Sequence, residues 1–112
     1  MQLVEKKISR EDLIKISGNH QDDFVKAVVD LEKEIMVIDS ALHSDEEMFL
    51  LDNGSVQNDL WGINIYPNRS ADRLVEFDSM INIRPRDKNR TRGVDNPQIR
   101  IKIIEIVGNL IQ

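Results

Sequence analysis

The sequence contains no cysteine. That excludes disulfides, thiolate metal sites and cysteine nucleophiles, and it agrees with a reducing compartment. Proline and glycine are scarce, three and five in 112 residues, so collagen-like and low-complexity chains are excluded. Aromatic residues make up 4% and include a single tryptophan; none falls among the basic residues 84 to 92, so base stacking is not implied there. The longest apolar runs are four residues, Ile35 to Ile38 and Met48 to Leu51, where a spanning helix needs about 20. The first residues carry Glu5, Lys6 and Lys7 and no apolar stretch, which does not fit a secretory signal. A cytoplasmic protein is the expectation. Phosphate-loop and nucleophile-elbow motifs are also missing: the glycines Gly18, Gly54, Gly62, Gly93 and Gly108 are scattered, and no G-x-S-x-G occurs.

What is present suffices for one domain over residues 1–112. Hydrophobic residues are 40% and charged residues 31%, a balance that buries a core and is not disordered. The net charge is −5, so neither duplex nucleic acid nor an anionic membrane is an expected partner. The charge is uneven. Residues 84 to 92, R-P-R-D-K-N-R-T-R, hold five of the 15 basic residues and one of the 20 acidic ones. A cationic loop is carried on an anionic body.

The pattern along the chain predicts an α+β fold: a small, mainly antiparallel sheet with helices packed on one face and a long C-terminal helix. Residues 2 to 7 suit a short strand. Ser9 is placed as a helix N-cap, with Asp12 offering negative charge to the amide end, Ile8 and Leu13 as a hydrophobic staple, and Gly18 as the stop. Phe24 to Asp39 reads as a hairpin turning at Glu32–Glu34, and the unbroken Ile35–Ile38 run predicts burial on both faces. Ser44 to Gly54 admits two readings. One is a helix over 45–52 with Ser44 and Glu47 as a capping box; the other is a strand turning at Asn53-Gly54. Ile63–Pro67 and Ile81–Pro85, I-N-I-Y-P and I-N-I-R-P, read as an antiparallel strand pair, each ended by a proline. Asp95-Asn96-Pro97 starts the last helix. Ile99, Ile103, Ile106, Val107 and Leu110 share one of its faces, and Ile101, Ile104 and Ile111 widen it. The widened stripe either lies deep across the sheet or meets a second copy in a homodimer.

Strand alternation then places Asn64, Tyr66, Asp78, Asn82 and Arg84 on one polar face, opposite Trp61, Ile63 and Ile65. Asparagine is disfavoured in strands, so two at equivalent places ask for a reason.

The runs L-W-G-I-N-I-Y-P at Leu60–Pro67 and E-F-D-S-M-I-N-I-R-P at Glu76–Pro85, with V-K-A-V-V-D-L-E-K at Val25–Lys33 and L-H-S-D-E-E at Leu42–Glu47, resemble a small prokaryotic family of about this length. That family is classified only as a domain of unknown function. The resemblance implies a bacterial or archaeal cytosolic origin and brings no activity, cofactor or catalytic residue.

Two groups of residues carry candidate chemistry. His43, Asp45 and Glu47 form H-x-D-x-E. They point the same way on a strand, while on a helix His43 and Glu47 meet as an i, i+4 pair. One imidazole with two carboxylates is short of a closed coordination set, so neither metal nor cofactor is expected. The alternating Arg84, Arg86, Lys88, Arg90 and Arg92 suit phosphate or carboxylate. The leading expectation is a binding or interaction module that uses Asn64, Tyr66, Asp78, Asn82, Arg84, Arg86, Arg90 and Arg92 for an anionic small molecule or an acidic protein patch. The alternative is an enzyme on a phosphorylated or carboxylated small molecule, with Glu47 or Asp78 as base and the arginines as anion clamp. A concave pocket joining H-x-D-x-E to the strand asparagines would favour the enzyme; a flat polar face would favour the module.

Overall fold

Five short strands and three α-helices make up the computed structural model, which describes residues 1–112. In chain order these are β1 (Gln2–Val4), α1 (Arg10–Ser17), β2 (Val25–Asp30), β3 (Ile35–Ile38), α2 (His43–Asp52), β4 (Leu60–Ile65), β5 (Val75–Glu76) and α3 (Pro97–Leu110). The strands form one sheet in the order β1-β3-β2-β4-β5, and every neighbouring pair is antiparallel. The fold class is the α+β one that the sequence pattern predicts.

Local signals set the element ends. The Ser9 hydroxyl accepts from the Asp12 amide at 3.0 Å, and α1 stops at Gly18, whose φ of 126° suits a residue without Cβ. The β2–β3 hairpin turns where expected. Asp30 fixes it by accepting the amides of Glu32 and Lys33 at 2.9 and 3.0 Å. Asn96 caps α3 by accepting from Gln98 at 2.9 Å, with Pro97 in the first turn.

Strand alternation divides the apolar residues between two layers. Ala27, Val29, Met36, Ile38, Trp61, Ile63 and Ile65 meet Leu13 of α1 and Ile103, Ile106, Val107 and Leu110 of α3. Val28, Val37 and Leu60 point the other way, onto Leu50 of α2. The helices therefore lie on both faces of the sheet, not one. The apolar run of β3, buried on both sides, is the sequence trace of this. α3 lies across the sheet on its buried stripe, while Ile101 and Ile104 stay 59% and 52% exposed.

Two expectations need correction. Residues 45–52 are helical, the first of the two readings, but the capping box does not form: Leu42 is the N-cap and no side chain caps the helix. The strand expected at Ile81–Pro85 does not form: β5, the partner of β4, ends after Glu76, and 3-10 turns follow at Met80–Asn82 and Pro85–Asp87. The physical reason is Asn82. Its Oδ1 accepts from the Gly62 amide at 2.8 Å and its Nδ2 donates to the Gly62 carbonyl at 2.9 Å. The side chain satisfies the free edge of β4, so no strand backbone is needed there. A Cβ on Gly62 would come within 2.6 Å of the Ser79 side chain, which is how the turn packs so closely on the strand.

Candidate functional site

Strand register builds a polar end on the α2 side of the sheet. Lys26 of β2 stands opposite Asn64 of β4, which stands opposite Glu76 of β5. Asn64 Nδ2 and the Tyr66 hydroxyl both donate to Glu76 Oε1, at 2.8 and 2.9 Å. Burial, reinforced by the bond to Glu76, pushes the Tyr66 phenol above its ordinary value and keeps it a donor. Its ring lies between Phe24, 5.3 Å between centroids, and the Arg69 guanidinium at 3.8 Å.

Beside this face α2 ends in a concave pocket of about 160 Å³ whose polar lining is Lys26, His43, Ser44, Ser79 and Arg92. Three chain regions meet here: β2, the first turn of α2 and the segment after β5. His43 is buried, and its Nε2 lies 2.7 Å from the Ile63 carbonyl. A carbonyl only accepts, so Nε2 carries the proton and Nδ1 keeps its lone pair. Burial lowers the His43 pKa; Lys26 and Arg92 lower it further, against the Ile63 bond and Asp78. The imidazole is neutral near pH 7. Arg92 is steered by Asp78, which accepts from Nε at 2.5 Å. Lys26 has no carboxylate within salt-bridge distance. With no side-chain cap on α2, the pocket also faces the positive end of a helix.

The other predicted residues divide. Asn64 and Tyr66 share the polar face as expected, and Asp78 reaches the pocket through Arg92. Asn82 does not join them; it is fully buried under Gly62 and Arg92, donating to the Arg92 carbonyl at 3.0 Å. Arg84 stacks on Trp61 at 4.0 Å and donates to the Gln57 carbonyl at 2.6 Å, away from that face. Arg86 and Arg90 are exposed and point at no common site. The loop is not an even cationic row because Asn89 folds it, donating to the carbonyls of Asn82 and Gly93 at 2.7 and 2.8 Å. Lys88 then turns back with a φ of 60°. His43, Asp45 and Glu47 fan out around α2: Asp45 is exposed, and Glu47 lies towards Arg84. No group of three or more His, Asp or Glu side chains is arranged to hold a metal ion. The pocket reaches His43 but neither Asn64 nor Asn82.

Two residues at this end of the sheet stand outside the predicted set. Lys26 reads in the sequence as the polar partner of an alternating strand. Glu46 reads as one acid among several, yet it is fully buried, with Oε2 accepting from the Ser40 amide at 3.1 Å. Burial pushes its carboxyl up to about 9. The usable signal was the i, i+3, i+7 spacing of His43, Glu46 and Leu50, which puts a carboxylate inside an apolar stripe.

The architecture defines an α+β protein with a mixed sheet cover and a small polar pocket at a helix end. The chain belongs to the family described as a protein of unknown function, DUF5674, whose model matches residues 2–110. No curated protein and no solved structure is significantly similar to it. No helix is long and apolar enough to cross a membrane.

Proposed function

We propose that the protein is a small cytoplasmic binding module that seats one anionic group, a phosphate or a carboxylate, in the Lys26–His43–Arg92 pocket. A single observation carries this. The chain has 20 acidic residues and a net charge of −5, yet this pocket is lined by two cations, an imidazole and two hydroxyls, and by no carboxylate. Charge-assisted bonds from Lys26 and Arg92, hydroxyls from Ser44 and Ser79, and the helix end all favour negative charge. The volume suits one charged group more than a whole cofactor, since pockets for drug-sized ligands run from about 300 Å³. The group can belong to a small molecule or to an acidic protein patch. The polar face of Asn64, Tyr66 and Glu76 lies beside the pocket, across from Lys26 in the strand register. Arg92 is the one member of the basic loop that takes part.

The enzyme alternative has one specific support, the neutral His43 with Nδ1 free to accept a proton. It would run through His43; Glu47 and Asp78 do not line the pocket.

The test is a titration with inorganic phosphate and with acetate, followed by the amide NMR signals of residues 43–45. Saturable shifts are expected, and Lys26→Ala should weaken binding by about tenfold or more, the loss of one charged hydrogen bond. Non-saturable shifts, or equal binding by Lys26→Ala, would reject the reading.

A further inference from the structure

The Lys26–His43–Arg92 pocket has an apolar half that binding of a bare anion leaves unused. Leu42, Met80 and Ile81 line it beside the polar groups. Leu42 is 56% and Met80 64% exposed, and Met80 is the most exposed large apolar side chain of the molecule. Single exposed apolar residues are ordinary; large ones that line the same cavity mark a contact surface.

The fold explains neither residue. Leu42 is the N-cap of α2, a position that favours Ser, Thr, Asp or Asn because their side chains accept a helix amide. Leucine offers no such bond, and Leu42 belongs to neither apolar layer. Met80 is turned outward by its neighbours. The Ser79 amide donates to the Arg92 carbonyl at 2.9 Å, and the Ser79 hydroxyl accepts from the Ile81 amide at 3.3 Å. Ile81 packs on the layer of Val28, Leu50 and Leu60. The turn is thereby fixed with Met80 on its solvent side. A methionine there presents a flexible, polarisable side chain that adapts to what it meets.

We propose, on the anion reading of this pocket, that its ligand is a short aliphatic acid, with the carboxylate at Lys26 and Arg92 and the chain laid against Leu42 and Met80. The cavity of about 160 Å³ takes the head group, and the chain runs out over the exposed apolar side chains. Arg92 is already paired with Asp78, so Lys26 is the cation left to match, and a single negative charge suits it. An inorganic anion leaves Leu42 and Met80 in water. An acidic protein patch sets hydrated charge against them. An aliphatic chain removes them from water, which is favourable in proportion to the apolar area covered.

The test is a chain-length series of acetate, butyrate and hexanoate, titrated at constant ionic strength and followed by the amide NMR signals of residues 43–45. Each methylene laid against the protein is worth about two- to fourfold in affinity, so hexanoate should bind about tenfold or more tighter than acetate. Leu42→Ser combined with Met80→Ser should reduce that gain to about threefold or less. Ile101→Ser changes an exposed residue of α3 outside the pocket and should leave the series unchanged. Equal affinities for acetate and hexanoate, or a gain that persists in the double variant, would overturn the aliphatic class while the anion reading stands. No saturable binding by any of the acids would overturn both. If the double variant does not fold, the wild-type Met80 methyl resonance decides: it must move more with hexanoate than with acetate, and a resonance indifferent to chain length overturns the proposal.

Discussion

Asn82 closes the edge of β4 with a side chain where a strand would use its backbone. Replacing it with Ala leaves the Gly62 amide and carbonyl unpaired in the interior. We expect a loss of about 2–4 kcal/mol in urea unfolding, since each buried group left unpaired costs about 1–3 kcal/mol. Gly62→Ala should cost about 1–3 kcal/mol by overpacking against Ser79. Both variants unfolding like wild type would contradict this account of the edge. The two asparagines show how far the sequence speaks at this scale. Their oddity in strand-like runs was visible, but the reasons differ: Asn64 binds Glu76, and Asn82 imitates a strand. An amide that takes over ladder bonds leaves no periodic trace, so alternation carried the reading on through Ile81 and Ile83 into a strand that is not there. The same false alternation put Arg84 on the polar face.

Among the elements, α2 carries the pH dependence. Its buried face holds His43 and Glu46, which act in opposite directions. Glu46 has its folded pKa raised from 4.5 to about 9. Between those values the unfolded chain has released a proton that the folded one keeps, so stability falls with rising pH at up to about 1.4 kcal/mol per unit. His43 has its folded pKa lowered below 6.5, so its contribution is present above 6.5 and is lost as pH falls through the folded value. Glu46→Gln should flatten the decline between pH 5 and 9 in denaturant unfolding; a slope as steep as in the wild type would refute the assignment. For α3, Ile106→Ala should cost about 2–5 kcal/mol, whereas the half-exposed Ile101 and Ile104 should each cost less than half as much. Helix positions were readable because caps and 3.6-residue periodicity are local. The side of the sheet that each helix covers is a tertiary choice. Only the doubly buried β3 run hinted that α2 lies opposite α1 and α3.

Across the whole molecule, charge decides what can approach. On the proposed reading, an anionic body with one pocket lined by Lys26 and Arg92, the latter paired with Asp78, takes a compact anion in preference to an extended polyanion. Binding should therefore weaken with salt, and more steeply for a dianion than for a monoanion. The sequence showed the charge asymmetry but located it in the Arg84–Arg92 loop. Folding split that loop among Trp61, solvent and the pocket, and brought in Lys26 from a strand distant in sequence. The most direct test of the pocket is the imidazole NMR titration of His43 against pH, with inorganic phosphate and with chloride at matched ionic strength. A bound anion beside the ring favours the imidazolium, so phosphate should raise the His43 pKa saturably. Superimposable His43 curves in phosphate and chloride would contradict the claim that this pocket takes an anion.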